Sequence, residues 1–561
     1  MMSLPGTALN VTGEGDPCGW PSPVRRWTHW SFDYATTSGV PLIETDYIAA
    51  RLRDFWGRRT PWQRRLWGIG TVGLVEEVLE AAAFQRAGHF HERTVADLAE
   101  SARRQIRRDP GLGSPPVRGK FDQLMKVVAK DGGAMRELQA LLHDRAPHYF
   151  ACWRSASATE PPELEVTARN VGAHLLGCGF SPDHLYRWVS SVAGDGTLTV
   201  PAFLEEAETL AQRPTRTYEV LIPITSLPRH RVPMPANWME ARAAAEWIRT
   251  HGPAGKTVRQ NGALLFTREA RDPWRAVEEV SDVVQSLAAR VVIGLPGQDR
   301  FVVHDEAVVS ASPRLYPLRR PRRQVEVHAL YRQGVLYEAS HSGLAGRIGA
   351  AIDLLEPLEN GSPEAAVAGG WAAIETLLAR RDAANAVAAE ELATLVACSL
   401  VRAELTTLSY SYAIDHRDQL SETLDGTDSN LDRCRILLRA ITAGEVIDFA
   451  NPSDTAALAR LKAIAGAPAD VLGRVASYVG DTFKRLYRQR NLVLHAGRSN
   501  SVAMLPTLRG APPLVGAAID RIVHAALQPY PIAPDDLVAR ARIRLHLAGT
   551  TAEADLVDLL G

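Results

Sequence analysis

Cysteine is scarce and dispersed in this sequence. The 561 residues include five, Cys18, Cys152, Cys178, Cys398 and Cys434, and no two form a Cys-x-x-Cys pair. That spacing excludes a disulfide framework and a thiolate zinc site, and it fits the reducing interior of a cell. Net charge is nearly absent: 63 Lys and Arg against 64 Asp and Glu leave −1. No global field draws the chain to nucleic acid, so any RNA contact has to use a local basic patch. Long apolar runs are missing as well. No stretch approaches the roughly 20 residues of a membrane helix, and residues 1–16 lack the positive start and apolar core of a secretion signal. The expectation is a cytoplasmic protein without a membrane partner. What is present, 46% hydrophobic and 23% charged residues, is a soluble globular composition. The length allows several domains.

Residues 1–40 are broken by Gly6, Gly13, Gly15, Pro17, Pro21 and Pro23 and read as an irregular arm. Its Trp20, Trp27 and Trp30 are expected to pack on a neighbouring surface rather than to stack bases. Residues 41–215 read as a helical region. Apolar residues recur at three- and four-residue steps, as in Leu74, Val75, Val78, Leu79 and Ala82. Helices are expected over 46–55, 61–86, 94–108, 120–143 and 163–176, with another starting at Ser181-Pro182-Asp183. Residues 216–340 change pattern. Strands at 218–224, 263–267, 301–304 and 325–330 alternate with helices near 238–249 and 273–289, which predicts a small α/β domain.

Residues 341–561 carry helical patterns over 343–356, 363–380, 385–413, 430–443, 456–465 and 468–488, and again in the tail from 513. Pro363 and Pro468 suit first helical turns, each with an acid close behind. The expected fold class is α+β multidomain, mostly α: an N-terminal helical region, a central α/β domain and a C-terminal helical bundle.

Four clusters carry less than they first suggest. Gly252-Pro253-Ala254-Gly255-Lys256-Thr257 ends like a phosphate-binding loop, but position 250 is Thr rather than Gly, and a helix precedes it where a strand is required. His89, His91 and Glu92 lack the helical spacing and the remote partner of a zinc site. Arg314, Arg319, Arg320, Arg322 and Arg323 surround two prolines and read as an exposed connector. Arg58, Arg59, Arg64 and Arg65 alternate with Trp56, Trp62 and Trp67, which suits stacked RNA and a tryptophan core with solvent-facing arginines equally well. No metal and no cofactor is expected.

The remaining string is Arg490-Asn491-Leu492-Val493-Leu494-His495, at the end of the 468–488 helix. Its three aliphatics can bury while an arginine and a histidine stay available. Arg490 and His495 are five positions apart, about 140° around a helix, so a kink or a second subunit has to bring them together. Only Arg169-Asn170, followed by His174, repeats the Arg-Asn start. Its filling is small, and Gly172 weakens a helix there. Of the two, the copy at 490 is the stronger candidate.

The 490–495 string resembles the signature of the HEPN superfamily, small helical domains that include metal-independent endoribonucleases of bacterial defence and toxin–antitoxin systems. The resemblance covers roughly the last 200 residues. It implies that Arg490, Asn491 and His495 are catalytic, that two motifs meet in one cleft of a homodimer, and that the product carries a 2′,3′-cyclic phosphate or a 3′-phosphate. It also singles out Glu375, because an early helix of such domains often turns an acidic residue toward the site. The residue types suit the chemistry. Histidine exchanges protons near neutral pH, and the arginine fork matches phosphate oxygens and their developing charge. Asn491 can orient either group. Arg485, Arg488 and Arg498, with Lys484, are expected to form a flanking RNA-binding patch.

The expected function is an RNA-cleaving effector acting on tRNA or mRNA. The N-terminal two-thirds would answer a phage-derived trigger or an antitoxin. Two plainer readings stand beside it. Arg490 could pair with a carboxylate while His495 closes a helix end, where a cation gains about 0.3–1 kcal/mol. Or the bundle could serve only for dimerisation, in a non-catalytic binding and assembly protein.

Overall fold

The computed structural model describes residues 44–561 apart from 66–67, 160–162, 194–197, 228–232, 296–300, 311, 319–322, 339–341, 379–384, 551–554 and 561. The tryptophan-bearing arm expected over 1–40, Trp67, and Arg319, Arg320 and Arg322 lie outside the described residues. The structure is 69% helix and 7% strand, which makes it mostly α with a minor β component.

The N-terminal helices are α1 (Glu44–Trp56), α2 (Thr71–Arg86), α3 (Glu92–Arg108), α4 (Pro115–Val127), α5 (Gly132–Arg145), α6 (Tyr149–Thr159), α7 (Leu164–Gly177), α8 (Pro182–Val192) and α9 (Val200–Ala211). They bury two separate cores. Ile48, Leu52, Trp153, Phe180 and Phe203 anchor one; Leu74, Val78, Ile106, Phe121 and Leu138 anchor the other. Two of the expected helices are broken. The 61–86 run is a single 3₁₀ turn, Trp62–Arg64, followed by α2 from Thr71. The 120–143 run falls into α4 and α5 because the Asp131 carboxylate accepts the Gly133 N–H at 2.7 Å and starts a new helix.

The central sheet comprises β1 (Arg216–Ser226), β2 (Trp238–Glu240), β3 (Gly262–Ala270), β4 (Val302–Val303), β5 (Glu306–Val309) and β6 (Leu315–Pro317), with helices α10 (Ala241–His251) and α11 (Pro273–Gly294). Its order is β2-β3-β1-β5-β6, with β4 also on β1. Every pairing among the described residues is antiparallel, so the alternation of strands and helices does not build parallel units here. The period-2 pattern of β1 explains the layering. Val220, Ile222 and Ile224 pack with Val277 and Val280 of α11. Leu221 faces the other way, onto Ala244 and Ile248 of α10.

The segment expected as a strand at 325–330 is not one. Val325 and Val327 pack against the C-terminal core instead. The Val325 N–H bonds the Glu359 carboxylate at 2.8 Å, and the Ala329 N–H bonds Asp520 at 2.7 Å. Alternating apolar residues have found a helix surface to cover rather than a sheet to join. A short helix, α12 (Ala329–Arg332), follows. Arg323, expected in a solvated connector, donates to the carbonyls of Leu358 at 2.9 Å and Gly361 at 2.8 Å, closing a helix end.

The C-terminal bundle contains α13 (Gly343–Asn360), α14 (Pro363–Leu378), α15 (Asn385–Asp415), α16 (Gln419–Asp425), α17 (Asn430–Thr442), α18 (Pro452–Gly466), α19 (Pro468–Ala496), α20 (Met504–Ala526) and α21 (Pro534–Leu547). The sequence pattern missed α16, a short helix started by a capping box between Asp418 and Ser421. Residues 387–415 are long and apolar enough to cross a membrane, contrary to the sequence expectation. Yet 78% of its 18-residue apolar window is buried inside the protein, as in a central core helix.

The 325–330 strap crosses α20 at Gly516, where an added Cβ would stand 2.6 Å from the Glu326 backbone nitrogen. A mid-helix glycine is unfavourable by propensity, so the crossing explains it. Gly516→Ala is expected to destabilise by about 1–3 kcal/mol, read as a lower urea midpoint with helix content unchanged. A midpoint equal to wild type would disprove this close approach.

Candidate active site

Helix α19 is continuous from Pro468 to Ala496 and carries the whole Arg490–His495 string. It ends at Gly497, whose φ of 60° is left-handed, and the Arg498 N–H returns to the Leu492 carbonyl at 3.1 Å. No kink brings Arg490 and His495 to one face. Asn491 and His495, four positions apart, share one instead. Leu492 is buried and Val493 packs on the bundle core, but Leu494 is 53% exposed, so one of the three aliphatics faces outward.

Arg490 turns toward α14. Its Nη2 lies 3.7 Å from Glu375 Oε2, and its Nη1 donates to Asn491 Oδ1 at 3.1 Å. The acid singled out from the sequence therefore stands beside Arg490, an arrangement that fits both an acid turned toward a site and the plainer expectation of an arginine paired with a carboxylate. Trp371, fully buried one turn earlier on α14, fixes this pairing of helices by packing on Tyr487 of α19, ring centroids 4.9 Å apart. Arg490 and Glu375 are each about a quarter exposed, where an ion pair contributes roughly 1 kcal/mol at most. A guanidinium has five N–H donors, so these two contacts leave capacity for a phosphate. His495 and Arg498 are exposed.

Arg485 and Arg488, expected on an RNA-facing patch, are not on the surface. They are 2% and 8% exposed and grip one carboxylate, Glu77 of α2. Arg485 Nε is 2.8 Å from Glu77 Oε2 and Arg488 Nη2 is 2.6 Å from Oε1. Burial alone would raise the Glu77 carboxyl, but the two arginines outweigh it and hold it below the usual glutamate range. Lys484 is likewise engaged, with Glu390 at 2.7 Å. Arg498 alone of the three expected RNA-contacting arginines remains open. Sequence cannot separate these cases, because Glu77 is some 400 positions away.

The N-terminal helices dock along the same stretch of α19. Ser101 donates to Asp481 at 2.6 Å, and Arg169 lies over the Tyr478 ring at 5.2 Å. The Arg169/His174 copy of the motif is consumed by packing. Arg169 pairs with Glu165 at 2.8 Å, and His174 is buried with its ring stacked on Tyr149, centroids 4.0 Å apart. The same fate meets the Arg/Trp cluster. Trp56 is buried, Arg58 pairs with Asp183, and Arg64 is buried between Glu404 at 2.6 Å and Asp454 at 2.7 Å. Trp56 is core and Arg64 docks the N-terminal helices on the bundle rather than facing RNA, while Arg58 and Arg59 stay exposed, as the alternative of solvent-facing arginines expected.

Burial pushes the His174 imidazole down to about 3. The unfolded chain takes up that proton near the ordinary 6.5. The unfolded state thus binds more protons between about 6.5 and 3, and stability falls as pH drops through that window. His174→Phe, measured by urea denaturation at pH 7 and pH 5, is expected to lose less stability between the two than wild type. An identical loss would show that His174 protonates in the folded state.

No group of three His, Cys, Asp or Glu side chains suited to a metal gathers among the described residues. Residues 252–257 connect α10 to β3 and so follow a helix, as expected from the sequence. Compared with models of known protein families, with curated proteins and with solved structures, the chain matches none.

Proposed function

We propose that the chain is a HEPN-type, metal-independent endoribonuclease whose working groups are His495, Arg490 and Asn491, with Glu375 holding Arg490. The observation that supports this reading most is the Arg490–Glu375 approach across α14 and α19, with an exposed histidine on another face near the end of α19. In the reaction a histidine takes the 2′-OH proton, and the 2′-oxygen attacks the adjacent phosphorus. The 5′-oxygen leaves with a proton from a second acid, and a 2′,3′-cyclic phosphate remains. Arg490 stabilises the charge that builds on the phosphoryl oxygens. On an unkinked helix Arg490 and His495 point about 140° apart, so the complete site needs a second copy, in a homodimer with two motifs at one cleft. The two-thirds of the chain before the bundle would then hold the nuclease in check in the bacterial cytoplasm until a phage-derived trigger or the loss of an antitoxin releases it.

The test is incubation of the purified protein with total RNA and with tRNA in EDTA, beside His495→Ala and Arg490→Ala. Cleavage by wild type alone is the expected result. Equal cleavage by all three would remove the assignment. The burial of Arg485 and Arg488 on Glu77, which removes them from any RNA-facing patch, favours a second reading, a non-catalytic assembly module. It is supported if no protein cleaves RNA, with or without lysate from phage-infected cells, while all three remain dimers.

A further inference from the structure

A well-formed cavity among the described residues lies away from the Arg490 site. It is a cleft of about 1630 Å³ where the N-terminal helices, the sheet domain and the bundle meet. Its volume exceeds the several hundred Å³ that holds a typical small ligand. Much of the wall is apolar, from residues such as Ile69, Leu79, Phe150, Leu176, Leu505 and Leu508. Arg509 of α20 opens into it. No carboxylate lies within ion-pairing distance of Arg509 among the described residues. The acid that most affects it, Glu278, is already held by Arg275 at 3.4 Å. Burial raises the Glu278 carboxyl above the usual glutamate range. Arg275 and Arg271 line the same wall. Arg509 is half-buried in the cleft wall, and drawing a guanidinium partly out of water is costly unless it is paired. Here burial lowers the Arg509 guanidinium to about 10.

We propose that this cleft binds a small molecule with an oxyanion on an apolar or aromatic body, the oxyanion seated against Arg509 and the body along the α2 and α20 walls. The occupant supplies the counter-charge that the protein does not. The opposite wall adds a consequence for the motif helix, which rests on reading 490–495 as the active site. Glu80 of α2 lines the cleft and accepts from Ser501 Oγ at 2.6 Å, in the loop just past His495. Glu77, on the same helix, holds Arg485 and Arg488. A ligand that shifts α2 therefore bears on α19 through Glu77 and on the loop that follows it through Glu80.

Binding can be tested without any nuclease activity. The full chain is titrated with 1-anilinonaphthalene-8-sulfonate, an oxyanion on an aromatic body, and with its uncharged counterpart N-phenyl-1-naphthylamine, for wild type and Arg509→Met. Wild type is expected to bind the sulfonate saturably, one per chain. Arg509→Met is expected to weaken the sulfonate at least tenfold and the neutral dye less than twofold. Its melting temperature should equal or exceed that of wild type, because an uncompensated charge has been removed. The proposal is overturned if wild type binds no sulfonate, if the variant binds it as tightly, or if both dyes weaken together. A fall of several degrees in melting temperature would equally overturn it, by making Arg509 a structural residue.

Discussion

Glu77→Gln is expected to destabilise the folded chain by about 3–5 kcal/mol, the largest stability effect of a single substitution anticipated here. Glutamine keeps the shape but not the charge. Two guanidiniums, Arg485 and Arg488, would then stay buried with no counter-charge at 2.8 and 2.6 Å, and breaking a buried pair from one side costs that much. A neutral replacement of the whole triad, Glu77→Gln with Arg485→Met and Arg488→Met, should recover most of the loss, because the penalty lies in the stranded charges. Urea denaturation of wild type, Glu77→Gln and the triple variant measures it. If Glu77→Gln alone matches wild type, the triad is not closed in solution.

The pH dependence has a definite sign. The Glu77 carboxyl is held below its unfolded value, so its contribution is complete above about 4.5 and is lost as pH falls through the lower folded value. Wild type should therefore weaken below pH 4.5 more steeply than Glu77→Gln.

His495→Ala is expected to reduce RNA cleavage by about 10²–10⁴-fold, the contribution of one positioned proton-transfer group, with folding unaffected because the side chain is exposed. Arg490→Lys keeps the charge but loses the fork that spans Glu375 and Asn491. It should fall between wild type and Arg490→Ala. Glu375→Gln separates positioning from chemistry. Its pair, about a quarter exposed on each side, contributes roughly 1 kcal/mol at most, so the melting temperature should hold. Cleavage should drop mainly in kcat, with rescue in Glu375→Asp if the carboxylate orients Arg490. A Glu375→Gln enzyme as active as wild type would reduce that ion pair to a surface contact. Active-site complementation, in which mixed Arg490→Ala and His495→Ala subunits regain part of the activity, would place the two groups on different copies.

The sequence by itself determined what depends on neighbours close along the chain. Three- and four-residue apolar steps placed most of the helices. Alternation and branched residues placed β1 and β3, and Ser181 and Pro468 marked helix starts that the structure keeps. Glu375 and Arg490 could be named together only through a resemblance, and the structure sets them 3.7 Å apart. Tertiary structure alone decided the partners of charged residues. Arg485, Arg488 and Arg498 look alike in sequence, yet two are buried on Glu77 and one is exposed, since burial depends on which remote helix docks. Arg64 met Glu404 and Asp454 in the same way. The 325–330 segment has a strand's composition, but its alternating face found the bundle at Gly516 before it found a sheet edge. The cleft at Arg509 was invisible for the same reason: a cavity is what three packed bodies leave between them, and no stretch of the chain encodes it locally.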